Sequence, residues 1–409
     1  MARTRLIAAM ILTYVGFAML LNSVGTVILQ SISSFGVTKP QASTLEGFKD
    51  ITIALVSFAT ASYLARIGLR KALIGALLLA IAACLVMPML GSFGAAQLHF
   101  AMVGAAFAVA KVAVYSMIGF VTAGPRQHAS LTSLIEGMFM LGVLASYWVF
   151  SAFIDPTGLR WLNAYWVLAG IVALALALLL SSRVDEAPAG EEPAVPEAAP
   201  FRAMLRLAAL PLVLVFVLCA FVFVVIEQGI GTWLPTFNNE VLHLPAQMSV
   251  QAASLFAACI ALGRFGAGAV MARFDWYPVL NACLILLAAL IILVLPLADG
   301  LSPRPIAGWG DAPVAAFLFP LIGFALAPIY PTIISVMLSA MPGRQHPPLM
   351  GLVVVFSALG GTTGSVITGQ LFAHLDGRTA FTLMLVPTAI LGIGLFLLRR
   401  QIAVKDTAS

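Results

Sequence analysis

The stretch Ala72–Met87, ALIGALLLAIAACLVM, carries no charge and shows no polar stripe at helical spacing. Leu6–Leu21, LIAAMILTYVGFAMLL, reads the same way. A helix at the surface of a soluble domain keeps one polar face, and a membrane β-strand alternates apolar and polar residues over about 10 positions. These runs do neither. Extended by their apolar flanks, each reaches the roughly 20 residues that a helix needs to cross about 30 Å of hydrocarbon.

The rest of the 409-residue chain repeats this pattern. Hydrophobic residues make up 62% of it and charged residues 9%, against roughly 25% charged in an average soluble domain. Twelve apolar segments are predicted, at 6–32, 44–64, 72–90, 97–122, 130–153, 162–181, 207–232, 247–270, 278–298, 313–340, 348–372 and 379–398. The first is too long for the core of a cleaved signal and is expected to remain as a spanning helix. Cys84, Cys219, Cys259 and Cys283 all fall inside these segments, where they read as small apolar packers rather than disulfides.

The net charge of +5 is a matter of topology, not of nucleic-acid binding. With the N-terminus placed in the cytoplasm, fourteen Lys and Arg fall on the cytoplasmic side and four on the outer side, Lys39, Arg160, Arg304 and Arg378. Lys49, Lys111 and Arg264 lie within helices. The positive-inside rule therefore puts both termini in the cytoplasm. The expected location is a plasma membrane, the inner membrane of a bacterium, crossed many times.

The longest polar interruption, SRVDEAPAGEEPAVPEAAPFRAML from Ser182, mixes five carboxylates with four prolines and reads as an extended linker. It divides the chain into a six-helix bundle at 1–182, an acidic Pro-rich linker at 183–206 and a second six-helix bundle at 207–409. Substrate is expected between the halves of such a two-repeat transporter. The second and eighth segments are both followed by a short basic turn, SYLARIGLRKAL from Ser62 and GAVMARFDWYPVL from Gly268. Those turns nominate Arg66, Arg70, Lys71 and Arg273 for the intracellular gate; plain obedience to the positive-inside rule is the competing reading.

Six helices plus six, an acidic central loop and paired basic loops resemble the major facilitator superfamily over essentially the whole chain. SYLARIGLRKAL is similar to that superfamily's loop motif, with Ser62 in place of its first glycine and Ala65 in place of its aspartate. Two stretches resemble one branch, the fucose/galactose proton symporters. VVIEQGIGTWLPTF sets Glu227 at that branch's acidic position, and GFALAPIYPTIISVML sets Pro331 and Thr332 in register with its tenth helix. The resemblance implies a twelve-helix all-α membrane protein that moves a sugar-like solute with protons.

Seven ionisable groups fall within predicted spans: Glu46, Lys49, Asp50, Lys111, Glu136, Glu227 and Arg264. A charge at the bilayer centre costs at least about 2.5–3.5 kcal/mol, so each is a functional candidate. Lys111 sits deepest and needs an acidic partner to stay charged, with Asp50 the first choice and Glu136 the second. Asp50 lies about 9 Å below the outer end of its helix by the helical rise. Lys49 is expected to snorkel to the outer headgroups, and Glu46 to lie near that interface.

Asp50, Glu46, Glu136 and Glu227 are the candidates for proton coupling, since a carboxylate open to each side in turn takes up and releases a proton. A buried Asp50–Lys111 pair that only fixes helix packing is the alternative. Substrate contacts are assigned to Asn22, Gln30, Lys111, Tyr115, Glu136, Glu227, Gln228, Trp233 and Tyr330, with Trp233 as a stacking face for an apolar ring surface. Arg264 joins the gate. Each uncharged member has a bland reading as a hydrogen-bonding packer. The glycine-rich SALGGTTGSVITG, from Ser357, reads as a close-packing surface.

The five histidines lack zinc-ligand spacing, and no nucleophile elbow, P-loop or dinucleotide motif is present. No enzyme, metal or cofactor is expected beyond a coupling ion, taken as H+. The sequence thus points to a monomeric secondary transporter of a small polar solute. An organic-anion or drug-like substrate is the alternative, and a non-transporting receptor or scaffold is the reading from another class.

Overall fold

A computed structural model of the chain describes residues 2–60, 68–122, 124–155, 158–182, 204, 206–298 and 306–408. Its described residues are helical and hold no strand. They form two compact units, Met1–Ala194 and Val195–Ser409. The linker prediction at 183–206 falls almost wholly outside the described residues, as does Arg66.

In the first unit, α1 runs Ala2–Asn22 and resumes after a turn at Ser23 as Val24–Phe35. It is followed by α2 (Lys39–Thr60), α3 (Leu69–Leu90), α4 (Phe93–Val121), α5 (Pro125–Phe153) and α6 (Ala164–Ser181). The second unit holds α7 (Pro211–Glu240), α8 (Ala246–Met271), α9 (Trp276–Val294), α10, α11 (His346–His374) and α12. Here α10 is a run of short pieces from Ala315 to Ala340, and α12 comprises Gly377–Thr382 and Leu385–Ala408. The prolines account for the breaks in α10: Pro320 sits in a 3-10 turn, and Pro328 separates Ile322–Leu326 from Ile329–Ala340.

Eleven helical stretches among the described residues are long and apolar enough to cross a membrane. Lys39–Thr60 falls short of them although it has 22 residues. Every 18-residue window of it contains Glu46, Lys49 and Asp50. Several helices outrun their apolar cores. The predicted end of α7 at 232 becomes Glu240, because polar residues such as Asn238 and Asn239 continue the helix past the hydrocarbon.

Turn chemistry fixes the hairpins. Gly91 takes the left-handed conformation, φ 51°, and donates its N–H to Met87 O, closing α3. The next residue, Ser92, caps α4 by accepting from Ala95 N. Glycine then sets the helix spacing inside each unit, and it does so at corresponding places. A Cβ on Gly104 of α4 would lie 2.5 Å from Lys49 O of α2, and one on Gly323 of α10 would lie 2.5 Å from Phe256 O of α8. Likewise Gly142 of α5 abuts Val15 O of α1 at 2.8 Å, and Gly364 of α11 abuts Val225 O of α7 at 2.5 Å. The pairs α2/α4 and α1/α5 of the first unit thus recur as α8/α10 and α7/α11 of the second. Without an aqueous hydrophobic drive between helices, such backbone approach is what holds a membrane bundle together.

Candidate functional site

In the first unit the polar side chains converge where α1, α4 and α5 meet. Phe107, Lys111 and Tyr115 follow one another at four-residue spacing and so share a face of α4. Tyr115 donates its hydroxyl to the Glu136 carboxylate of α5. Tyr14 of α1 stands edge-on to both Tyr115 and Phe139, with ring centroids 5.9 Å apart in each case. Lys111 Nζ lies 6.0 Å from the centroid of the Phe107 ring, within cation–π range.

Lys111 and Glu136 are both exposed. Ionisable groups this far along apolar helices are too costly to present to lipid, so this face is the water-accessible side of the unit. Its surface combines a cation, a carboxylate, a phenol and an aromatic floor.

The lysine partners differ from expectation. Among the described residues no carboxylate comes within 4.0 Å of Lys111 Nζ, so the Asp50–Lys111 pair does not form, nor does the Glu136 alternative. Asp50 is taken by its own neighbour: Lys49 Nζ lies 3.5 Å from Asp50 Oδ1 and also bonds Glu46. Nor does Lys49 snorkel. It is 6% exposed and Glu46 is 0% exposed, both inside the protein. A lysine three residues after one acid and next to another satisfies its charge within a single helical turn, and it gains more there than at the interface.

In the second unit Arg264 Nη2 of α8 stands 3.9 Å from Glu227 Oε1 of α7. Tyr330 of α10 shares a 2.9 Å hydrogen bond with Ser357 of α11, and its ring lies 5.5 Å from Phe223, one turn before Glu227. Each unit therefore joins its fourth helix to its fifth through a tyrosine hydroxyl. Gln228 is half-buried and accepts from Thr232.

Trp233 is a correction. It is 0% exposed, its indole N–H donates to Ser365 O at 3.0 Å, and its ring packs 5.2 Å from Phe372. It is a core residue with no face left for a solute. Gln30 is also buried, at 3% exposure, on the segment beyond the Ser23 turn, while Asn22 donates back to Ala18 O.

Of the gate candidates, Arg70 reaches across to α6, donating through Nη2 to Leu180 O and Ser182 O at 3.1 Å each. It caps the carbonyls that end that helix, a structural duty the positive-inside rule does not reveal. Lys71 and Arg273 are exposed at helix ends. Tyr14, Phe107, Phe139 and Ser357 belong to these faces without having been assigned to them. The four-residue spacing of Phe107, Lys111 and Tyr115 was the available signal.

Two six-helix units built on the same helix pairs, each with charged groups on the inner helices, define a secondary-transporter fold. Residues 6–342 match the Major Facilitator Superfamily, and the chain belongs to it: a multi-pass membrane transporter. Solved structures share the fold along nearly its full length. A bacterial homolog of the human lysosomal transporter Spinster, inward-facing and occupied, is 14% identical with a TM-score of 0.78, over 99% of this chain and 98% of that one. The nucleoside transporter NupG is 12% identical with a TM-score of 0.76, over 97% and 100%. The fucose:proton symporter FucP of E. coli is 15% identical with a TM-score of 0.61, over 97% and 99%. At these identities the likeness is one of fold. No curated protein gives a significant sequence match.

Proposed function

We propose that this transporter moves a small polar solute with an apolar ring face, a sugar or a sugar-like compound, together with protons. The observation that carries the reading is the face formed by Tyr14, Phe107, Lys111, Tyr115 and Glu136. An aromatic floor takes an apolar ring surface, while the ammonium and the carboxylate serve hydroxyls as donor and acceptor. Glu136 accepts from Tyr115, and a carboxylate can only accept. Once protonated it becomes a donor, so the hydrogen bonds available to a bound solute change with its proton. That linkage makes solute and proton binding interdependent, as symport requires. Glu227, paired with Arg264 in the second unit, is proposed to bias the conformational change in the same way.

The protein is proposed to act as a monomer in a bacterial plasma membrane, by alternating access, with 183–206 as a cytoplasmic tether. A second reading, transport of an organic anion, is favoured by one observation: among the described residues no carboxylate lies within 4.0 Å of Lys111 Nζ, which suits it to an anionic group. Uptake into proteoliposomes across a panel of sugars and organic acids, with and without an imposed pH gradient, tests both. Gradient-dependent accumulation of a neutral sugar is expected. Gradient-dependent accumulation of acids alone selects the second reading, and no gradient-dependent flux for any compound overturns proton-coupled transport.

A further inference from the structure

At the end of the first unit that carries the N-terminus, a cavity of about 450 Å3 opens where α1, α4 and α5 end together. Arg3 of α1 and Arg126 of α5 line it, with Ser130 beside them, and Ile7, Val121 and Leu134 form part of its apolar wall. Among the described residues no acidic one lines it. Neither arginine makes an ion pair among the described residues, and both are exposed. Its arginine end lies away from the face described above: Val121 is ten residues beyond Lys111 on α4 and Arg126 ten residues before Glu136 on α5, about 15 Å along each axis, while Leu134 brings its apolar wall toward that face.

Two guanidiniums line one cavity with no carboxylate among its described lining residues, which gives it a positive charge. Guanidinium is the side-chain group best matched to phosphate, through its planar fork of donors. The N-terminus of α5 adds a favourable dipole beside Arg126. The apolar wall sets the choice between anions. A free phosphate ion gains nothing from Ile7, Val121 and Leu134, whereas a phospholipid lays its glycerol and upper acyl chain on them. The basic residues also mark this end as the cytoplasmic one, which faces the anionic leaflet.

We propose that this cavity is a binding site for the phosphate headgroup of an anionic phospholipid of the cytoplasmic leaflet, held by Arg3 and Arg126. Nothing in the transport reading requires it. The site bridges the ends of α1, α4 and α5, the same three helices that form the Lys111–Glu136 face, so an occupying lipid stabilises the arrangement of those helices from below.

The test uses the purified full-length chain, delipidated and placed in nanodiscs of phosphatidylcholine alone or with phosphatidylglycerol. Retained lipid is counted by native mass spectrometry and unfolding is followed thermally. Phosphatidylglycerol is expected to be retained preferentially and to raise the unfolding midpoint, and millimolar inorganic phosphate is expected to do neither. Arg3→Gln and Arg126→Gln should each weaken retention about fivefold, and together about 25-fold, in line with the attraction of one basic residue to an anionic leaflet. Arg273→Gln, which removes a basic residue outside the cavity, should change retention less than twofold. Equal retention of the two lipids by the wild type overturns the proposal without recourse to any variant. So does stabilisation by inorganic phosphate that matches the lipid, which assigns the cavity to a soluble anion. Unchanged retention in the folded double variant places the lipid elsewhere and also overturns it.

Discussion

Lys49 holds Glu46 and Asp50 on one turn of α2, bonding the first and lying 3.5 Å from Oδ1 of the second, with Glu46 and Lys49 buried and Asp50 half-buried. Two carboxylates on one ammonium make an assembly in which the lysine is indispensable. Lys49→Met leaves both acids buried without a counter-charge and is expected to cost about 3–5 kcal/mol of stability. The triple change Glu46→Gln, Lys49→Met, Asp50→Asn removes the charges together and should recover most of that loss. Thermal and chemical denaturation in detergent measure both; equal destabilisation by the two variants would show that the charges do not act as a unit.

The glycine contacts predict a sharp contrast between positions. Gly104→Ala forces a methyl against Lys49 O at 2.5 Å, and Gly364→Ala forces one against Val225 O at 2.5 Å. Each should cost about 1–3 kcal/mol, because backbone rather than a flexible side chain must give way. Gly75→Ala meets nothing within 4 Å and should be neutral or stabilising by up to about 1 kcal/mol. Unfolding midpoints of the three variants, measured side by side, check the ordering.

Which parts of this were legible in the sequence follows from what hydropathy measures. Unbroken apolar runs such as Ala72–Met87 and Leu6–Leu21 announce spanning helices, since a membrane helix needs only to be apolar over a length. Rotation of a helix about its axis was not legible in them. That rotation leaves Lys111 without the expected acidic partner among the described residues and turns Trp233 into the core. Lys49 was misread because its two partners lie on its own turn, where a search for interhelical pairs does not look. The glycines at 104, 142, 323 and 364 were visible, but their partners belong to other helices and appear only once the bundle is formed.

Tyr115→Phe keeps the aromatic surface and removes the donor to Glu136. Loss of one such intramolecular hydrogen bond should cost about 1 kcal/mol of stability, and because Glu136 is then no longer held in place, apparent solute affinity should fall as well. Lys111→Gln discriminates between the two solute classes. Uptake of a neutral sugar should persist within about threefold, whereas an organic anion would lose about tenfold or more, as a charge-assisted contact is removed. Dose-dependent uptake in proteoliposomes reads both.

Outside the membrane, Asp376 caps the start of α12, accepting from Thr379 N at 2.8 Å and from Thr379 Oγ1 at 2.7 Å. These bonds from Thr379 hold its carboxyl below the ordinary range, the backbone contact contributing most. A depressed folded value means that the cap is fully effective above the unfolded value of about 3.9 and fades as pH falls through the folded one. Asp376→Ala should therefore cost about 1 kcal/mol at pH 7, with the gap to wild type narrowing below about pH 4. Unfolding midpoints taken as a function of pH follow the gap directly.

Solute and proton are proposed to cross together. Proteoliposomes that enclose a pH-sensitive dye and carry no imposed gradient report this when the solute identified by the uptake panel is added outside. Acidification of the lumen is expected to start with solute entry, saturate with it, and disappear in Glu136→Gln. Solute entry at full rate with no change in lumen pH would rule out proton-coupled transport.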